Sequence, residues 1–134
     1  MHKQGNNGNK NIEKTVNDIL KSRPRSRIYI YLLRHNGART EQIIKGTKLH
    51  PSTVRESLAK MHKNRLIYRK KIKNDSIGKN PYMYYSISPI ELLKRYSEEI
   101  EERLNKLASL ASKDNDPENY KPIKIKIHET RGGR

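Results

Sequence analysis

The sequence has 134 residues and contains no cysteine, no tryptophan and no phenylalanine. Without cysteine there are no disulfides and no thiolate metal sites, and the composition suits an intracellular setting. With only 32% hydrophobic residues, and eight tyrosines as the sole large aromatics, the core must be small. A compact body of about 75 residues with extensions is expected rather than one uniformly packed globule. No apolar run approaches the roughly 18 residues of a membrane span, and the polar opening MHKQGNNGNKN lacks the apolar stretch of a secretion signal. A cytoplasmic protein without membrane contact is therefore expected. No Gly-rich phosphate loop, Ser/His/Asp order or convergent carboxylate pair appears, so neither an enzyme nor a cofactor is expected. The five histidines, His2, His35, His50, His62 and His128, are scattered, so no metal site is expected either.

Acidic residues are also scarce: 30 Lys and Arg stand against 14 Asp and Glu, giving a net charge of +16. Such a balance favours polyanionic partners and opposes self-association through unspecialised surfaces. Its distribution is uneven. Residues 1–88 hold 20 basic and 5 acidic side chains, residues 89–112 hold 4 and 5, and residues 113–134 hold 6 and 4. The cationic surface thus belongs to the first two thirds of the chain.

The centre of that region, Thr40 to Ile67, reads as two short helices joined by a tight turn and followed by a strand. Thr40 is placed to cap the first helix, Glu41 to favour its dipole, Ile43 and Ile44 to be buried, and Gly46 to break it. Pro51 suits the first position of the second helix, although His50 before it is a poor cap. Val54, Leu58 and Met61 form one apolar stripe. This leaves Ser52, Thr53, Arg55, Glu56, Ala59 and Lys60 outward. Asn64 is expected to end the helix in the left-handed conformation.

Before this pair, residues 1–11 read as a disordered arm. Ile12, Val16, Ile19 and Leu20 mark a short helix, and Pro24 to His35 a second, apolar over much of its circumference and closed by Asn36-Gly37. Such a helix is expected to be the platform under the pair. After it, Leu66–Lys73 and Tyr82–Ile87 are rich in β-branched and aromatic residues around the turn-forming NDSIGKNP, which predicts a β-hairpin. Arg69, Lys70, Lys71, Lys73 and Lys79 make its first strand and tip cationic.

Ser88-Pro89-Ile90-Glu91 combines a capping box with proline at the first helical position. The helix it opens is predicted over residues 89–112, roughly 36 Å long. Leu93, Tyr96, Ile100, Leu107 and Leu110, with Leu104 beside them, give it a heptad-like stripe suited to dimerisation. In the tail, 113–134, Ile123, Ile125 and Ile127 alternate with lysine and suggest a short strand over 122–128.

The order helix, helix, helix-turn-helix, basic hairpin, long helix resembles the archaeal and bacterial winged-helix transcription regulators of the MarR and TrmB type. Arg39 to Ile67 carries the likeness, with Thr53-Val54 early in the second helix and Asn64-Arg65-Leu66-Ile67 where the family usually has Gly-Leu-Ile or Gly-Leu-Val. The run from Tyr84 to Pro89 into a glutamate-rich helix looks most like the TrmB type. The resemblance implies a mainly α fold with a small β-hairpin (α+β), a winged helix-turn-helix over 12–88 that binds double-stranded DNA, and a homodimer through the long C-terminal helix. TrmB proteins carry a sugar-binding domain after that helix where this sequence has a 22-residue tail, so no small-molecule effector is implied.

On this reading the recognition helix 51–63 enters the major groove. Ser52, Thr53, Arg55 and Glu56 are its candidate base readers: arginine grips guanine, glutamate accepts from cytosine, and threonine touches a thymine methyl. Arg39, Lys45, Lys48, Lys60 and Lys63, with the wing residues 69–79, are candidates for phosphates. A winged helix binding RNA or the ribosome, or docking on protein in a transcription assembly, would use the same charge differently.

Overall fold

The computed structural model describes residues 3–73, 82–111 and 121–129. Five α-helices and one antiparallel hairpin appear in the order α1 (Lys3–Leu20), α2 (Arg23–His35), α3 (Thr40–Thr47), α4 (Pro51–Lys63), β1 (Ile67–Lys71), β2 (Tyr82–Ser86) and α5 (Pro89–Ala108). A single 3-10 turn, Ser109–Ala111, follows α5. The chain divides into two units, Met1–Ile87 and Ser88–Arg134. The mainly helical class and the long C-terminal helix are as expected, and no described helix is long and apolar enough to cross a membrane.

In the first unit α2 is the platform, packing against α1, α3, α4 and β2. Its buried face is Ser26, Ile28, Tyr29 and Leu32. Ile43 from α3, Val54, Leu58 and Met61 from α4, Ile67 from β1 and Tyr84 from β2 complete the core. Each such aliphatic side chain contributes about 1.5 to 3 kcal/mol through removal from water. Tyr29 is 1% exposed. Its hydroxyl donates to the Ile87 carbonyl at 2.9 Å, while the Ser86 hydroxyl donates to the Tyr29 carbonyl at 3.0 Å. This reciprocal pair latches the end of β2 to α2.

The hairpin pairs Ile67 with Ser86, Arg69 with Tyr84 and Lys71 with Tyr82. On the other edge of β2, Ala38 exchanges both backbone bonds with Tyr84, at 3.0 and 2.8 Å. The α2–α3 connection thus fixes the base of the hairpin. Its expected turn and Lys79 lie outside the described residues.

Several local expectations are corrected. Residues 3–11, expected to be disordered, extend α1, because a helix nucleated on the part of α1 that packs against α2 propagates without a second nucleation cost. The cap of α3 is Arg39 rather than Thr40, and the Arg39 N–H donates to the Gln42 side chain at 2.8 Å. Gly46 does not end α3, which continues to Thr47 and closes on Lys48 at φ 61. A Cβ at Gly46 would sit 2.1 Å from Cε1 of Tyr31, so this glycine permits close approach of α2. His50 does cap α4: its Nδ1 accepts from the Ser52 N–H at 3.2 Å. At the other end Asn64 has φ −86, and Arg65 takes the left-handed turn at φ 61.

In the second unit Ser88 caps α5 as predicted, its hydroxyl accepting from the Glu91 N–H at 3.1 Å. The helix stops at Ala108, slightly short of the expected 112. The segment 121–129 forms no strand, because what it lies against is helix side chains rather than another strand's edge. Asn105, 6% exposed, donates from Nδ2 to the Ile123 carbonyl at 3.1 Å and accepts the Ile123 N–H at Oδ1, 2.9 Å away. Glu101, one turn earlier, accepts the Ile125 N–H at 3.2 Å. Lys94 pairs with Glu129 at 3.1 Å. The tail therefore runs antiparallel to α5, held through its main chain at Ile123 and Ile125.

Candidate nucleic-acid interface

The second helix of the helix-turn-helix, α4, buries Val54, Ser57, Leu58 and Met61 and no other residue. With that stripe fixed, 3.6-residue periodicity turns Ser52, Arg55, Glu56, Ala59, Lys60 and Lys63 to the surface, and all are exposed. Thr53 is half-buried. The Ser52 hydroxyl lies 2.8 Å from His50 Nδ1, so part of its hydrogen-bonding capacity is committed to the cap. Glu56 faces Lys60 at 3.8 Å, one helical turn apart. That exposed pair contributes only about 0.3 to 0.5 kcal/mol and yields readily to a ligand. Arg55 has no ion-pair partner among the described residues, which leaves its five N–H donors for a base edge or phosphate.

Lys45 and Lys48 are exposed around the end of α3, whereas Arg39 is half-buried at its start. Arg69, Lys70, Lys71 and Lys73 are exposed along β1 and just beyond it. Strand alternation separates them onto two faces of the hairpin. On one face the Arg69 guanidinium lies 4.2 Å from the Tyr82 ring centroid. On the other, Lys70 Nζ lies 5.4 Å from the Tyr85 ring, and Tyr85 stacks on Tyr68 at 5.2 Å. Cations held over ring faces lose mobility without losing charge, which suits them to a rigid phosphodiester path.

Tyr85 in turn packs on Gly37, where a Cβ would come within 2.4 Å of the ring at a backbone φ of +106. The ring is thus seated on the α2–α3 turn. These tyrosine contacts were missed because only the cations of the hairpin were assigned a role; the alternation in YRKK and YMYYS carries the signal. Burial pushes the Tyr29 phenol up to about 12, so it remains a neutral donor at any physiological pH.

A hollow of about 470 Å³ is lined by residues of α1, α2 and α3, Tyr31, Arg34, His35 and Gly46 among them. One of its cations, Arg27, is already paired with Glu13 at 3.2 Å, and the geometry assigns no ligand to it. Among the described residues no group of His, Asp and Glu is arranged to hold a metal.

Two helices leading into a helix-turn-helix, a basic antiparallel hairpin and a following long helix define a winged helix-turn-helix. The chain belongs to the TFIIE alpha subunit family, whose sequence pattern matches residues 13–116. It is similar in structure to a possible transcriptional regulator from Methanosarcina mazei Go1, with 20% identity, a TM-score of 0.58, and coverage of 72% of this chain and 85% of that one. A mutant MepR of S. aureus is similar at 16% identity and a TM-score of 0.49, covering 84% of this chain and 82% of that one. No curated protein matches the sequence.

Proposed function

We propose that this winged-helix protein is a sequence-specific double-stranded DNA-binding transcription regulator acting as a homodimer. The observation that carries the reading is α4, whose buried stripe leaves Arg55 exposed, without an ion pair among the described residues, with Ser52, Thr53 and Glu56 around it. Those four read base edges in the major groove. Arg39, Lys45, Lys48, Lys60 and Lys63 engage phosphates, and Arg69, Lys70, Lys71, Lys73 and Lys79 follow the flanking backbone. α5 pairs with its counterpart through Leu93, Tyr96, Ile100, Leu104, Leu107 and Leu110. Two recognition helices about 34 Å apart then read a pseudo-palindromic site.

Selection of bound fragments from random duplex DNA tests the reading. The expected result is an enriched motif with two-fold symmetry, bound with an affinity that falls by about 10³ or more between 50 and 200 mM salt. Enrichment of no motif, with tRNA or ribosomal RNA competing as well as duplex, would overturn it.

A second reading is favoured by one finding: the family is named for a subunit of an assembly. On that reading the winged helix docks on protein and its charge is incidental. It predicts no salt-sensitive binding to DNA or RNA at micromolar concentration.

A further inference from the structure

Ser52 stands on the outward side of α4. It lies two residues before Val54, hence about 200° around the helix from that buried side chain, and it is exposed. What its hydroxyl can offer a base edge is set by His50, the residue that caps the helix.

The bonding fixes the state of the His50 ring. The Ser52 amide nitrogen lies 3.2 Å from His50 Nδ1, and an amide N–H can only donate. Nδ1 is therefore the unprotonated acceptor, and the neutral ring carries its hydrogen on Nε2. The Ser52 hydroxyl oxygen stands 2.8 Å from the same Nδ1. A nitrogen without a hydrogen has none to give, so the hydroxyl donates to it. The amide and the hydroxyl of Ser52 thus share one lone pair of His50.

A free serine hydroxyl is two-sided in recognition, donating to a keto oxygen or ring nitrogen and accepting from an amine. Ser52 is one-sided. Its only hydroxyl hydrogen is engaged by the cap, and what remains for a ligand is the lone pairs of the oxygen.

We infer that Ser52 reads an exocyclic amine, N6 of adenine or N4 of cytosine, and rejects guanine and thymine at its position. Guanine O6 and N7, and thymine O4, would set acceptor against acceptor. His50 is then a positioning residue, acting through Ser52 by holding the hydroxyl hydrogen. The inference rests on the proposed DNA reading and deepens it, naming the hydrogen-bonding class of base that one candidate reader selects.

Selection of bound fragments from random duplex DNA, run on the full chain and its variants, tests the inference. With wild type, adenine or cytosine should be favoured about tenfold over guanine or thymine at one position of the motif. Ser52→Ala should erase that preference and leave the other positions as they were. His50→Asn keeps a cap and an acceptor before the hydroxyl, so the preference should persist. His50→Gly keeps a tolerated cap residue but removes the acceptor. The released hydroxyl should then bring all four bases within about twofold of one another at that position. Since His50 and Ser52 are both exposed, circular dichroism should show all three variants folded.

If His50 only capped the helix, His50→Gly would weaken binding to every sequence alike and leave the motif unchanged. That result would overturn its positioning role. A position sensitive to Ser52→Ala but filled by guanine or thymine would overturn the acceptor assignment, and a motif indifferent to Ser52→Ala would remove Ser52 from base reading. Enrichment of no motif by wild type is a separate failure, overturning the DNA reading and the inference with it.

Discussion

The two units of the chain dispose of their apolar side chains in opposite ways. In the winged helix Ile28, Ile43, Val54 and Met61 are wholly buried, and the surface is given over to cations. Along α5 and its 3-10 turn the reverse holds: of seven exposed large hydrophobics among the described residues, five (Ile90, Leu93, Leu104, Leu107 and Leu110) lie there. A unit that closes its own core needs no neighbour, whereas a contiguous exposed apolar stripe marks an interaction surface. On the proposed reading, the winged helix is stabilised by folding and the long helix by association.

The sharpest way to break that contrast is a pair of truncations. Ile28→Ala should cost the winged helix about 2 to 5 kcal/mol in urea unfolding, through lost transfer energy and a residual cavity. Leu107→Ala should leave the unfolding of dilute monomer within about 0.5 kcal/mol of wild type while weakening association. If both change monomer stability alike, the contrast is false.

Within the head, the roles of cations are separable by binding measurements. Arg55→Ala should cost about 1 to 3 kcal/mol on the selected site and relax preference at one base position. Lys71→Ala should weaken selected and random duplex alike and lower the salt slope by about 1. Equal losses on both DNAs from Arg55→Ala would remove that residue from base reading.

The Tyr29 latch gives the head an alkaline limit. Burial holds the folded phenol at about 12 against an ordinary value of 10.0. The unfolded chain therefore loses this proton first, so stability is complete below pH 10 and falls as pH rises toward about 12. Tyr29→Phe should abolish that fall while costing about 1 to 3 kcal/mol at neutral pH, because the Ile87 carbonyl loses its donor. An unchanged alkaline profile in the variant would show that another group controls it.

Much of this fold was legible in the sequence because its elements carry clean periodicities. Val54, Leu58 and Met61 at helical spacing, opened by Pro51, located α4 at the residues where it stands, and Ser88 with Pro89 located the start of α5. The period-2 runs around residues 67 and 84 gave the hairpin. What escaped was set by tertiary contact rather than by local preference. Gly46 reads as a helix breaker until the Tyr31 ring is placed against it. His50 reads as a poor cap because residue type does not show that its ring turns back to the Ser52 amide. The role of the Tyr29 hydroxyl was not legible because its acceptor, the Ile87 carbonyl, is far along the chain. For the candidate interface, the same stripe that gave α4 also marked its outward side chains, since burying one face of a helix determines the other. The clamp on the tail was not legible, because Asn105 shows its purpose only when the backbone of Ile123 stands opposite it.

The smallest effect concerns the joints between secondary-structure elements. Four described non-glycine residues adopt positive φ, and three of them, Lys21, Lys48 and Arg65, are basic. Glycine would occupy these joints more comfortably, by about 1 kcal/mol each. Lys48→Gly should therefore raise the melting temperature slightly while loosening the complex with duplex, as differential scanning fluorimetry and a salt titration would show. On the proposed reading, the polymer tolerates an awkward backbone at these bends to keep a counterion-displacing group in place. Heat tolerance and polyanion affinity accordingly pull such positions toward different amino acids.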